Sequence, residues 1–491
     1  MDDSQPCSVP PPDAKREPEA ASPSPPQPRL SRHAEGSLAE LLAVALPLMI
    51  STGSHSVMIF CDRLFLTRVG TTDLAAAFSA GTIGWSILAI PLGTLGYAST
   101  FVSQYFGAGD DAKARAAVWQ SFYLSLAAGL LIIATIAAAD PFFRLVGHAE
   151  TLRRKETLYF SIITLAGPIR LVIGCFFCHF SGRGETQIPM IAAIVGNSAN
   201  IVLSYWLIFG GLGLPAYGLA GAAAGTVIAS VLELLFYLGF IGTVRRDTLA
   251  DWWASRRFDP EMSRRLIGFG LPSGIQMLSD ALAITIAIQL VGKIGERELA
   301  ATTLAFSTNA IVFVPLIGLG MAIGTIVGHR VGAGRPAAAV QSVLLGGRVA
   351  ALLMGTFAAA CVLFPNAVLA PYAWFGQENF SDLEPILVKL LRYLAAFALF
   401  DAAAVLFGFA IRGAGDTRFS LYLLTATGWG LLVLPLTLLE ANDAMTLDRC
   451  WILLTGTIAI QGIGFSLRFF GGKWRSMSVM EDRRDPGGEP A

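Results

Sequence analysis

Asp280 and Asp401 each fall near the middle of an apolar stretch long enough to cross, as a helix, the roughly 30 Å hydrocarbon core of a bilayer. An ionisable group is costly there, so each is expected on a protein interior or a watery cavity, where its carboxylate can meet a cation or a proton. Gln276 precedes Asp280 by one turn on the same helical face and adds an amide oxygen. Two acids brought together can share a proton or ligate a hard cation such as sodium, while each alone could simply hydrogen-bond a neighbouring helix. Asp62 lies in an earlier apolar stretch and reads equally as an ion-coupling acid or as the structural partner of Arg63 or Arg170. In that stretch His55 reads first as a hydrogen-bonded packing residue. Glu233, Asn197, Asn200 and Asn309 are buried polar candidates; Asn200 suits a functional role as well as a structural one, the others helix contacts or cavity lining.

The elements that must position these groups follow from composition. The chain has 491 residues, of which 54% are hydrophobic and only 14% charged, and a mean hydropathy of +0.60, which is too apolar for a soluble protein and indicates a polytopic membrane protein. Twelve apolar spans are expected, at about 38–67, 76–104, 116–139, 157–181, 189–210, 217–243, 265–293, 299–328, 338–363, 385–411, 418–439 and 449–470. The proline-rich, polar first 36 residues have almost nothing to bury. The expected order is a disordered cytoplasmic tail (1–36), a six-helix lobe (37–243), a cytoplasmic linker (244–264), a second six-helix lobe (265–472) and a second disordered tail (473–491). Basic residues such as Lys113, Arg183, Arg245, Arg265, Arg330 and Arg412 favour both termini on the cytoplasmic side, against Arg144, Arg153, Arg154 and Lys155 outside.

The two halves are echoes of one another. A shift of 225 residues lays Ala45-Leu46-Pro47 on Gly270-Leu271-Pro272, and Phe106-Gly107-Ala108-Gly109 on Val331-Gly332-Ala333-Gly334. Gly182-Arg183-Gly184-Glu185-Thr186 recurs as Gly413-Ala414-Gly415-Asp416-Thr417. Six spans per half is an even number, so both halves enter the membrane from the same side and form parallel repeats about an axis along its normal. The fold class is therefore all-α, with twelve transmembrane helices in two lobes and a substrate cavity between them.

Other chemistries find no support. The six cysteines are dispersed, and the Cys175-x-x-Cys178 pair lies within an apolar span, where core packing is the expected role. The glycine loops have no P-loop lysine and follow no strand, so nucleotide is not expected. Zero formal net charge gives no case for nucleic acid. No nucleophile stands beside a base at helical spacing, so the chain does not read as an enzyme.

The proline-containing first span with Asp62 and Gly70, the Gly107-Ala108-Gly109 loop, Gly196-Asn197-Ser198-Ala199-Asn200, and Asp401 followed by Arg412-Gly413-Ala414-Gly415-Asp416-Thr417 resemble the multidrug and toxic compound extrusion (MATE) family, its NorM-type branch most of all. The likeness covers about residues 38–470. It implies a V-shaped cavity and export of small amphipathic or cationic organic compounds in exchange for sodium ions or protons. No cofactor is implied, and a monomer in the plasma membrane is expected. The resemblance also implies ion-coupling roles for Asp280, Asp401 and Asp62, with Asn200 in the first-lobe site. Ser204 stands where family members with a full first-lobe site carry aspartate, and Phe397 replaces an aromatic hydroxyl near Asp401. A lipid-linked oligosaccharide or lipid flippase of the same broad superfamily is the alternative reading.

Overall fold

The computed structural model describes residues 30–211, 213, 215–374 and 380–481. Among them are twelve helices long and apolar enough to cross a membrane: α1 (Leu38–Val69), α2 (Thr72–Gly107), α3 (Asp111–Val146), α4 (Glu150–Gly182), α5 (Gln187–Phe209), α6 (Gly218–Thr243), α7 (Pro260–Gly292), α8 (Glu296–Gly332), α9 (Pro336–Leu363), α10 (Leu383–Ala414), α11 (Thr417–Ala441) and α12 (Leu447–Phe470). Each expected span is present. Most run past the apolar limits because polar residues cap them outside the hydrocarbon: the side chains of Ser37, Asp110 and Asp259 accept backbone N–H groups at the starts of α1, α3 and α7. Pro260 sits in the first turn of α7, so that helix begins inside the segment expected to be linker. In α11 the helix widens to a π-turn over Gly428–Val433 immediately before Pro435, which has no N–H to donate.

The lobes meet through glycines that let backbones touch. A Cβ on Gly93 of α2 would lie 2.7 Å from the Cα of Gly274 on α7, and one on Gly318 of α8 would lie 2.6 Å from the Cα of Met49 on α1. The 225-residue shift turns the first contact into the second. Gly107 against the His329 carbonyl and Gly332 against the Gln104 carbonyl form another such exchange. Reciprocal contacts of this kind are what a two-fold axis between equivalent surfaces produces. Among the described residues, the close glycine contacts between lobes all lie in the half of the bundle that carries the start of α1 and the α6–α7 connection, and the inter-lobe hydrogen bonds reach no further than Thr52 to the Val314 carbonyl, 3.2 Å, in mid-helix. The lobes are therefore joined at one end.

Polar groups lock that end. Arg330 of α8 donates to Glu40 of α1 at 2.6 Å, with both side chains almost wholly buried, and also reaches Glu35 at 2.9 Å. Burial pushes the Glu35 carboxyl up, but Arg335 and Arg330 outweigh it and hold the group below its usual range. The stabilisation from Glu35 is thus present above the unfolded carboxylate pKa and is lost as pH falls through the depressed folded value.

Two expectations about the tails change. Residues 30–36 are ordered, with Leu30 buried under Gly184, and the chain after α12 does not dissolve at residue 473. Trp474 stacks on Phe469 at 5.1 Å, the Val479 N–H and Ser478 hydroxyl donate to Gln104 at 2.9 and 3.0 Å, and Glu481 receives Arg265 at 2.8 Å and Lys113 at 3.0 Å. Gln104 in turn donates to the Gly413 carbonyl at 3.0 Å. The physical reason is that Trp474 and Val479 supply the apolar surface that a disordered tail would lack. Residues 1–29 and 482–491 of the expected tails lie outside the described residues.

Adding a single methyl at the inter-lobe contacts should be costly. Gly93→Ala and Gly318→Ala are each expected to destabilise the protein by about 1–3 kcal/mol and to lower its melting temperature in detergent. Gly53→Ala, whose Cβ would meet nothing within 4 Å, should not. Equal melting temperatures for all three variants would contradict the contact geometry.

Candidate functional site

In the first lobe, α1, α5 and α6 bring one acid to a ring of small polar groups. With its amide turned so that every partner is met, Asn200 donates to the two Asp62 carboxylate oxygens at 3.1 and 3.2 Å and accepts from the Thr226 hydroxyl at 3.1 Å. The spacing explains the convergence: Asn197, Asn200 and Ser204 recur at helical intervals along one buried face of α5. Asn197 donates to Ser54 on α1 at 2.8 Å. The Ser204 hydroxyl lies beside Asp62, and Gly225 of α6 packs against it. Thr226, which completes the chain of hydrogen bonds, was invisible in the sequence, where it is one small hydroxyl in an alanine- and glycine-rich helix.

The pairings considered for Asp62 do not form. Among the described residues it makes no ion pair with Arg63 or Arg170. Arg63 is exposed, and the geometry is satisfied instead by the neutral amide of Asn200. His55 and Arg170 lie within electrostatic reach of one another, and Arg170 also feels Glu233.

The second lobe holds acceptors without donors. Asp401 on α10 is 5% exposed, and its Oδ2 has no hydrogen-bond partner among the described residues. Gln276 Oε1 on α7 and Asn309 Oδ1 on α8 are buried and equally unpartnered. An unpaired acceptor in a dry interior is costly, and a proton or a hard cation removes the cost. Asp280 lies a turn beyond Gln276 and is partly buried. The structure does not join the two acids directly: α7 packs chiefly on α2 and α11, whereas α10 packs on α8, α9 and α12. Any coupling between Asp280 and Asp401 must therefore pass across the space beside α8.

Arg412 is the functional candidate that sequence reasoning placed elsewhere, among the loop cations. It sits in the last turn of α10, its guanidinium lies 4.2 Å from the Phe409 ring centre, its carbonyl accepts from Tyr97 of the other lobe at 2.7 Å, and it feels Asp280 through space. Phe397, one turn before Asp401 on α10, meets Phe306 edge-on at 6.5 Å, and Phe306 stacks on Trp451 at 5.6 Å. Cys175 and Cys178 are buried free thiols, and no cluster of three metal-ligating side chains occurs among the described residues.

The MatE family model matches this chain twice, over residues 47–206 and again over 272–439, once per lobe. The chain belongs to the MatE family. As a MATE protein it is a multi-pass membrane transporter and not an enzyme. It is similar to the multidrug resistance protein PmpM of Pseudomonas aeruginosa, 30% identical over 80% of this chain and 82% of that one. It is also similar to a probable multidrug resistance protein NorM of Bradyrhizobium diazoefficiens, 28% identical over 89% and 94%. An outward-facing conformation of a multidrug resistance MATE family transporter of the MOP superfamily has the same fold, with a TM-score of 0.80 at 21% identity, covering 91% of this chain and 98% of that one.

If Asn200 rather than Arg170 is the partner of Asp62, double-mutant cycles will separate them. Asp62→Leu and Asn200→Leu should be non-additive in melting free energy by about 1–3 kcal/mol. The Asp62 and Arg170 pair should couple by less than about 1 kcal/mol, as separated charges do. The reverse ranking would restore the ion pair.

Proposed function

We propose that this MATE protein is a secondary antiporter that exports amphipathic organic compounds, cationic ones among them, in exchange for sodium ions or protons. The observation that carries the reading is the buried Oδ2 of Asp401, together with the Oε1 of Gln276 and the Oδ1 of Asn309 in the same lobe, none of which has a donor among the described residues. Such a set is incomplete without a cation. The names of its relatives, multidrug resistance proteins, support the cargo class.

The mechanism follows from the inter-lobe contacts. With both termini cytoplasmic in the plasma membrane, the joined end is the inner one, and the cavity between the lobes faces outward. Entry of a cation to Asp280 and Asp401 neutralises the second lobe, favours release of cargo and then favours the inward-facing state. There the ion leaves and new cargo enters. A ligand drives this cycle only through different affinities for the two states, so the carboxylates must be better solvated or better coordinated in one of them. In the first lobe Asp62, already held by Asn200, has fewer free acceptor positions and serves as a secondary coupling site. The protein works as a monomer, because each chain contains both halves of the cavity.

Everted membrane vesicles given the fluorescent cation ethidium on their outer, formerly cytoplasmic, face test this by its accumulation in the lumen. Imposed sodium and pH gradients, applied separately, identify the ion. Asp280→Asn and Asp401→Asn are each expected to abolish gradient-driven transport with expression intact, since the amide keeps the volume and loses the charge. Retained transport in both variants, alongside a well-folded but inactive Asp62→Asn, would move the coupling site to the first lobe.

A further inference from the structure

The joined end of the lobes is closed differently on its two flanks. On one, Arg330 of α8 meets Glu40 of α1, and both belong to spans. The 225-residue shift places Tyr105 and Arg265 at the corresponding positions of the other flank, a pair that contains no carboxylate. Glu481, beyond the end of α12, supplies one: it bridges Arg265 of the second lobe, at 2.8 Å, to Lys113 of the first, at 3.0 Å. An ion pair between two spans parts only when the helices part. One made by a segment outside the spans can part by itself.

Residues 473–481 are held at two points with exposed chain between them. Trp474 is wholly buried on the segment's own lobe, stacked on Phe469 and donating from Nε1 to the Phe469 carbonyl at 2.8 Å. Val479 is wholly buried as well, but in the seam: it clusters with Phe101 and Tyr105 of α2, Ala114 of α3 and Leu266 of α7. Arg475, Ser476 and Ser478 are exposed. Gln104, fully buried on α2, holds the far point, since its Oε1 accepts from the Val479 N–H and the Ser478 hydroxyl while its Nε2 donates to the Gly413 carbonyl of α10. Parting the lobes at this end draws the two points to opposite sides. The stacked Trp474 moves with α12, and Arg265 moves with the same lobe. Val479 loses a wall of its seat, and the bonds left to break are those to Gln104 and the half-exposed pair with Lys113, which is weak in water.

We propose that residues 473–481 are a detachable latch on the joined end: seated, Val479 and Glu481 hold the lobes together there, and their release from Gln104 and Lys113 accompanies each opening of that end. The inference rests on the alternating-access reading above. A contact made in one state only shifts the balance toward that state by its own strength, so the latch sets what share of the protein stands closed at this end.

The test reads the width of the joined end. Ala112 and Ala337 are exposed, equivalent under the 225-residue shift, and stand near the starts of α3 and α9. Bioorthogonal spin labels at the two positions, in the full chain in nanodiscs, report that width by pulsed dipolar spectroscopy. The wild type is expected to show a short and a long distance whose proportions change with sodium, pH or ethidium. Val479→Ser with Glu481→Gln, which leaves all twelve spans intact, should raise the long-to-short ratio on the order of tenfold, the loss of one buried apolar contact and one half-exposed ion pair. Lys113→Gln should match Glu481→Gln and add little to it, because both remove the same contact. As a second measurement, Lys113→Cys and Glu481→Cys joined by a short bis-maleimide with a cleavable disulfide should leave the short distance alone and stop ethidium transport in vesicles, and cleavage should restore both. An unchanged ratio in the Val479 and Glu481 variant, a lower melting temperature without a change in ratio, or full transport with the crosslink in place would overturn the latch. A wild type with one distance under every condition would overturn the alternating-access reading together with it.

Discussion

Close approach of backbone to backbone is the constraint from which the rest of this molecule follows. Between membrane helices there is no hydrophobic driving force, so association depends on van der Waals contact and on hydrogen bonds that lipid cannot supply. Gly93, Gly107, Gly318 and Gly332 provide the first, and Gln104 and Tyr97, each reaching carbonyls of the other lobe, provide the second. Because these glycine contacts recur 225 residues away, a single patch present twice closes on itself. The same patch sets where the lobes cannot touch, and hence where a cavity can exist.

Within the lobes the organising quantity is the hydrogen-bond inventory of buried oxygens. Most helical hydroxyls settle their account locally, as Thr94, Ser161 and Ser230 do with carbonyls one turn back. Carboxylates and amides cannot, since their acceptors have no local donor in a finished helix. The first lobe answers by placing Asn200 against Asp62, whereas the second leaves Asp401, Gln276 and Asn309 open. The two lobes have therefore diverged in charge economy while keeping a common frame.

The frame was legible in the sequence because it is written in long-range composition. Apolar runs of membrane length, the repeated Leu-Pro and Gly-Ala-Gly elements and the central acids Asp280 and Asp401 all gave their positions to within a few residues. What escaped was local and chemical. Thr226 carries no signal within an Ala- and Gly-rich helix, and Arg412 stands at the end of its span, where a loop cation and a helix-terminal one look alike. Arg170 was noticed, but sequence alone could offer it only as one of two cations for Asp62, beside a coupling role for that acid, since spacing along helices does not say which residues of different helices touch. The segment after α12 was misjudged for a related reason: Trp474 and Val479 are too few to form a pattern, yet each finds a prepared hollow.

That last segment has a consequence for how the protein comes into being. Glu481 supplies Arg265 with a carboxylate, while the repeat-equivalent of Arg265 is Glu40, whose own partner Arg330 lies within the span itself. One side of the pseudo-symmetric seal can thus form as soon as α8 is inserted. The other must wait for Glu481, which follows α12. During synthesis the nascent transporter is thus held on one flank while the other is still loose.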